Sequence, residues 1–218
     1  MRTLFIIGDS LAQSYQDEPD GQCGWGSYLF QELSEELPIR VPSSHGEGVL
    51  FKGHELVVAN YAMAGQSTRT FVEDKRFDIV KRQFCPGDVL LINFGHNDAS
   101  FSKQERYTTI RQFQDVLGLF ASYAYRKEAE PVFITPIPML QCEAIKEGEV
   151  KLIAELLPSY RQAMKQCAYE NLIPCIDLQE QPCSLWYRPD GVHLTKQGAV
   201  HYAHFIAKDL HRIIPIVS

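Results

Sequence analysis

The amino-acid sequence predicts an α/β fold, a doubly wound, flavodoxin-like sheet of five parallel strands with helices on both faces. Two observations predict it. Five short, nearly continuous apolar runs alternate along the chain with five segments of helical spacing, and several of the runs are followed at once by polar, glycine-containing stretches. A run that is apolar at successive positions suits a strand covered on both faces. Unbroken alternation of strand and helix is the pattern of a parallel sheet joined by crossover helices. The 218 residues suffice for one core and no shift of composition divides them, so residues 1–218 are read as a single domain.

In chain order the strand candidates are Thr3–Ile7, Leu56–Ala59, Val89–Phe94, Pro131–Ile134 and Ile173–Asp177. Helical spacing covers about 25–37, 71–84, 106–126, 152–170 and 196–212. In the third of these, Tyr107, Ile110, Phe113, Val116 or Leu117, and Phe120 share one face. Pro158 interrupts the fourth and predicts a start near Ser159, whereas Thr195 supplies a hydroxyl cap for the fifth. Val41–His54, rich in Gly, Pro and Ser, and Gln141–Gly148 read as long loops.

Composition excludes several partners. With 21 basic against 27 acidic residues the net charge is −6, so no global positive field draws the chain to nucleic acid or anionic lipid. No apolar run approaches the roughly 18–20 residues of a membrane-spanning helix. Leu4–Ile7, four apolar residues before Gly8, falls short of a secretory signal's apolar segment, which predicts a cytoplasmic chain. Six cysteines without a C-x-x-C pair are expected as reduced thiols.

Open α/β sheets bind ligands beyond the carboxyl ends of their strands. There the sequence carries Gly8-Asp9-Ser10-Leu11 after the first strand, Asn60 to Gly65 after the second and Gly95-His96-Asn97-Asp98 after the third. Asp190-Gly191-Val192-His193 stands near the end. These four blocks, in this order, resemble those of the GDSL or SGNH hydrolases. A finer resemblance is to the rhamnogalacturonan acetylesterase-like branch. It rests on Gly24-Trp25-Gly26, on Asn60-x-Ala62-x-x-Gly65-Gln66-Ser67-x-Arg69-Thr70-Phe71, on Phe94 to Asp98, and on Val192-His193-Leu194-Thr195. Members of that branch often carry basic residues after a Thr-Pro dipeptide, where this chain reads Thr135-Pro136-Ile137-Pro138-Met139-Leu140. The departure points away from an acidic sugar.

The chemistry of the residues agrees with the resemblance. A serine hydroxyl needs a base to take its proton, and the base needs a third group to fix its tautomer. Ser10 and His193 can fill the first two roles, and Asp190, three residues before the histidine, can reach its Nδ1 from a single turn. The resemblance implies an oxyanion hole made by the N–H groups of Ser10 and Gly65 and the side-chain amide of Asn97. Trp25 is divided between lining the pocket and filling the core, and Arg69 between a loop salt bridge and a substrate contact. His96 is a further candidate contact. No cofactor is needed. No metal is expected either, since His96 and Asp98 read as hydrogen-bonded loop residues and His201 and His204 lack further ligands nearby.

The expected activity is that of a serine esterase removing a short acyl group, most simply acetyl, from a small-molecule or oligosaccharide ester. A thioesterase or lysophospholipase of the same superfamily is the alternative, but it needs a long apolar channel that the polar 41–54 and 141–148 segments do not suggest. A non-catalytic flavodoxin-like domain holding phosphate in the 8–12 turn leaves Asp190 and His193 unexplained.

Overall fold

A computed structural model describes residues 1–15, 21–142, 148–179 and 181–214. Seven strands form one sheet: β1 (Arg2–Gly8), β2 (Ile39–Pro42), β3 (Val49–Lys52), β4 (Leu56–Asn60), β5 (Val89–Asn93), β6 (Glu130–Ile134) and β7 (Cys175–Ile176). Their order across the sheet is β2-β3-β4-β1-β5-β6-β7. The five predicted strands are the parallel part, with β1 between β4 and β5, so the doubly wound core matches the expectation.

The sequence reading misses β2 and β3, which form an antiparallel hairpin where Val41–His54 was expected to be a loop. The cause is exposure. β2 is the sheet edge, with Ile39 and Arg40 exposed, so no apolar run marks it. In β3 Val49 and Phe51 turn inward while Lys52 is exposed, a period-two signal only four residues long.

The helices are α1 (Leu29–Leu33), α2 (Thr68–Glu73), α3 (Arg76–Lys81), α4 (Ile110–Arg126), α5 (Gly148–Glu170) and α6 (Lys196–Ile213). Alternation along each central strand divides the core between two faces. Leu4 and Ile6 of β1 join Val58 and Leu91 beneath Phe30 of α1 and Tyr202 and Ile206 of α6. Phe5 and Ile7 join Leu90 and Ile92 on the other face, under Phe71, Phe77, Phe113, Leu117, Phe120 and Tyr160.

Helix ends differ from the periodicity for local reasons. The 71–84 segment is two helices, broken at Asp74 and Lys75, the latter at φ +58°. α2 starts three residues early because Ser67 accepts from the Thr70 N–H while the Thr70 hydroxyl accepts from the Ser67 N–H. Thr109 and Gln112 make the same reciprocal cap for α4. α6 begins after Thr195, whose hydroxyl accepts from the Gly198 N–H at 3.2 Å, as expected. The 25–37 segment yields a 3₁₀ turn at Trp25–Ser27 and then α1. α5 runs through Pro158 instead of starting near Ser159. A proline there forfeits one helical N–H, and burial of Leu157, Tyr160 and Met164 around it offsets that loss. Of the expected 141–148 loop, residues 143–147 lie outside the described residues, and Gly148 opens α5.

Two buried asparagines end the central strands. Asn60 donates to the Ala12 carbonyl and the Ser14 hydroxyl, both at 2.7 Å, and accepts from the Ala62 N–H at 3.0 Å. Asn93 donates to the carbonyls of Ile134 and Thr135 at 3.1 Å and accepts from the Trp25 indole N–H at 3.0 Å. Asn93→Ala would leave those three groups without this partner inside the core, so stability should fall by about 2–4 kcal/mol. Urea unfolding checks this, and a loss below about 0.5 kcal/mol would show that the groups are satisfied without the amide.

Candidate active site

The site grows from the carboxyl ends of β1, β4 and β5. At Gly8 a Cβ would lie 2.5 Å from the Asn93 carbonyl oxygen, so the strand must end in glycine to stay paired with β5. The chain then turns sharply, with the buried Asp9 carboxylate accepting from the Leu11 N–H at 3.0 Å and the Asp9 carbonyl from the Ala12 N–H at 3.2 Å. Ser10 sits half-buried at the tip of this turn, and its carbonyl accepts from the Tyr15 hydroxyl at 3.1 Å.

The loop after β4 is joined to this turn by the Met63 N–H, which donates to the Gly8 carbonyl at 3.0 Å. Gly65 follows at φ +78°, a conformation in which a side chain would be strained. After β5, Gly95 takes φ +143° and packs so closely on Pro136 that a Cβ would approach its Cγ to 2.4 Å.

Asn97 then reaches across to the β4 loop. Its Nδ2 donates to the Gln66 carbonyl at 3.0 Å, and its Oδ1 accepts from Arg106 Nη1 at 2.9 Å. One amide proton remains for a further acceptor. Asp98 is fully buried and pins two helix starts, accepting from the Thr68 N–H at 3.1 Å and from the hydroxyls of Thr68 at 2.5 Å and Thr108 at 3.0 Å. Burial pushes its carboxyl up to about 7, against the pull of those donors.

Asp190 and His193 form the fourth part. Asp190 Oδ2 lies 2.8 Å from His193 Nδ1, and Oδ1 accepts from the N–H groups of Val192 and His193, both at 2.8 Å. Burial alone would raise this carboxyl, but the His193 ring and the two N–H groups outweigh it and hold the value at about 2. The carboxylate thus fixes a proton on Nδ1 and leaves Nε2 as the basic nitrogen.

Backbone bonds carry this turn to the segment that follows Ser10. The Cys23 N–H donates to the Leu194 carbonyl at 3.0 Å and the Trp25 N–H to the Leu11 carbonyl at 2.9 Å. Among the described residues the side chains of Ser10 and His193 are not hydrogen-bonded to each other. Such contacts are often long before substrate binds.

The secondary candidates fall elsewhere. Trp25 is 0% exposed and belongs to the core, so it lines no pocket. Arg69 donates to the Gln104 carbonyl at 2.6 Å and faces Glu73 at 3.6 Å, which makes it a clamp between α2 and the loop after Asp98. His96 is buried with its Nδ1 3.7 Å from Asp9, and among the described residues neither ring nitrogen has a hydrogen-bond partner. His201 stacks on Trp186 and His204 pairs with Glu32, so the two diverge. None of the six cysteines, all of them among the described residues, is in a disulfide. Among the described residues no three His, Cys, Asp or Glu side chains are grouped to hold a metal, and no helix is long and apolar enough to cross a membrane. Sequence reading passed over Arg106, which lies in an irregular loop with no motif or period to single it out.

Comparison with known proteins identifies the family and its relatives. The profile of the family described as GDSL-like Lipase/Acylhydrolase matches residues 4–206. The probable rhamnogalacturonan acetylesterase YesY of Bacillus subtilis (strain 168) is 30% identical over 224 residues, covering 95% of this chain and 91% of YesY. Rhamnogalacturonan acetylesterase RhgT of the same organism is 29% identical, covering 96% of this chain and 90% of RhgT. The crystal structure of a catalytic mutant of Axe2, an acetylxylan esterase from Geobacillus stearothermophilus, aligns with a TM-score of 0.68 at 16% identity, over 96% of this chain and 94% of that one.

The sheet and the loops at its carboxyl edge define an SGNH-type α/β hydrolase. The chain belongs to the GDSL-like Lipase/Acylhydrolase family and is a carboxylic ester hydrolase.

The Asp190 pair carries a pH signature. A carboxyl held below its ordinary 3.8 stabilises the fold fully above about pH 4, and that contribution fades as pH falls toward about 2. The stability difference between wild type and Asp190→Asn, from urea unfolding, should therefore shrink as pH falls from about 4 toward 2. A difference that grows over that interval would contradict the depressed carboxyl.

Proposed function

We propose that the protein is a serine acetylesterase of short carbohydrate esters, working through an acyl-enzyme. Ser10 Oγ attacks the ester carbonyl carbon while His193 Nε2 takes its proton, and Asp190 stabilises the resulting imidazolium. The tetrahedral oxyanion is met by the N–H groups of Ser10 and Gly65 and by the remaining amide proton of Asn97. Collapse breaks the bond to the sugar oxygen, which leaves with the proton from His193. Water then gives a proton to His193 and attacks acetyl-Ser10, and acetate departs as Ser10 recovers its proton.

The observation that carries this reading is the pairing of an ionised, histidine-bound Asp190 with an Asn97 amide that keeps one donor in reserve, on the sheet edge where Ser10 follows β1. The names of YesY and RhgT support acetyl as the acyl group and a carbohydrate as the alcohol.

The surroundings favour a neutral sugar. A cavity of about 340 Å³ is lined by Gln13, Ser14 and Tyr15 of the segment after Ser10, by Met63 of the β4 loop and by Glu47. Its lining mixes hydrogen-bonding groups with apolar ones, Pro42, Val49 and Ala62 among them, which suits the hydroxyls and the C–H faces of a sugar. None of the described residues lining this cavity is basic, Arg76 pairs with Glu47 at 2.6 Å and Arg69 is held by Gln104 and Glu73, so no cation marks a uronate subsite in the cavity itself.

Initial rates on acetylated pectic polymer, its oligosaccharides, neutral acetylated xylo-oligosaccharides and p-nitrophenyl esters of increasing chain length test the reading. The expected order in kcat/KM is neutral oligosaccharide above pectic oligosaccharide above polymer, with acetate the best nitrophenyl ester and every rate abolished in Ser10→Ala. Polymer as the best substrate would contradict the sugar preference, and rates rising toward octanoate would favour the thioesterase or lysophospholipase alternative.

A further inference from the structure

An asparagine used as an oxyanion donor faces a problem of orientation. The two ends of its amide are nearly equal in shape, but only the NH₂ end stabilises developing negative charge, while the oxygen end would repel it. Something must choose between them. In this protein the choice is made from both sides of Asn97. The Gln66 carbonyl, which can only accept, takes Nδ2 at 3.0 Å. Arg106 Nη1, which can only donate, takes Oδ1 at 2.9 Å. A flipped amide would set two oxygens together on one side and an NH₂ against a cation on the other.

Arg106 is placed to do more than hold. Its Nη1 is also the atom nearest to a Cβ built on Gly65, at 3.9 Å, so the guanidinium stands beside the residue that supplies the second N–H of the proposed oxyanion hole. Its side chain is three-quarters covered, which weakens screening by water, and its nearest carboxylate, Glu105 at 3.7 Å, is itself largely exposed. A cation bound to an amide oxygen draws electron density from the nitrogen and makes the remaining N–H a stronger donor. Backbone bonds seat the arginine, its N–H donating to the Lys103 carbonyl at 2.9 Å, while the Thr108 N–H donates to the Asp98 carbonyl at 3.1 Å.

We propose that Arg106 is a positioning residue for ester hydrolysis, locking and polarising the Asn97 amide so that its free N–H is presented to the oxyanion. The proposal rests on the oxyanion role of Asn97 given above. It assigns no substrate contact to Arg106, and its effect is therefore confined to the transition state.

A double-mutant cycle on p-nitrophenyl acetate hydrolysis tests it. Arg106→Met, which keeps an aliphatic stem without the charge, should lower kcat about 10- to 100-fold, the range for a hydrogen bond to a charged group, with KM changed by less than about twofold. Arg106→Lys should recover part of that loss, because a cationic donor is retained. Asn97→Ala should lower kcat about 10²–10³-fold, and adding Arg106→Met to it should cost nothing further. Losses that multiply in the double variant, or a raised KM at unchanged kcat, would overturn the proposal and make Arg106 a structural or ground-state group. If Asn97→Ala itself leaves kcat intact, the oxyanion reading fails and the Arg106 role with it; if Asn97→Ala is slow but Arg106→Met is not, the Arg106 role alone fails.

Discussion

Loops that leave a parallel sheet buried on both faces must turn polar backbone over an apolar core, and here three buried side chains meet that demand. Asn60 joins the end of β4 to the segment after Ser10, Asn93 joins the ends of β5 and β6 to Trp25, and Asp98 holds the starts of α2 and α4. An unpaired amide or carboxylate at such positions would cost more than its bonds contribute when made. The site is therefore built on groups that cannot be removed singly, and this rigidity sets Ser10, Gly65 and Asn97 relative to one another.

Two carboxyl groups at this sheet edge show how environment divides roles. Asp98, sealed from water, is pushed up to about 7 and serves structure. Asp190, partly open to solvent and bound to the His193 ring, stays near 2 and is ionised across the working range of an esterase. The same residue type thus anchors helices in one place and holds an imidazole ring in the other.

Much of this was legible in the sequence because the signals were strong. The runs in β1, β4, β5 and β6 are apolar at successive positions, which only a doubly covered strand requires, and the four polar blocks sit where an open sheet places its ligands. The Asp190–His193 spacing foretold a local turn. What escaped reading depends on contacts distant in sequence. The β2–β3 hairpin has an exposed edge and little apolar pattern. The place of Trp25 in the core is set by Asn93, 68 positions away, which accepts its indole N–H. Arg69 stands in the first turn of α2 and Arg106 in the 101–107 loop, and which of them meets Asn97 is decided by the fold of that loop.

The central claim is that Ser10 is an activated nucleophile served by His193. The most direct measurement is the site of covalent capture: reaction with a fluorophosphonate, proteolysis, and mass mapping of the adduct. The account predicts one phosphonyl group on the peptide carrying Ser10, formed in wild type and lost in His193→Ala. A folded wild-type protein that takes up no label, or takes it up at another residue, would contradict the account.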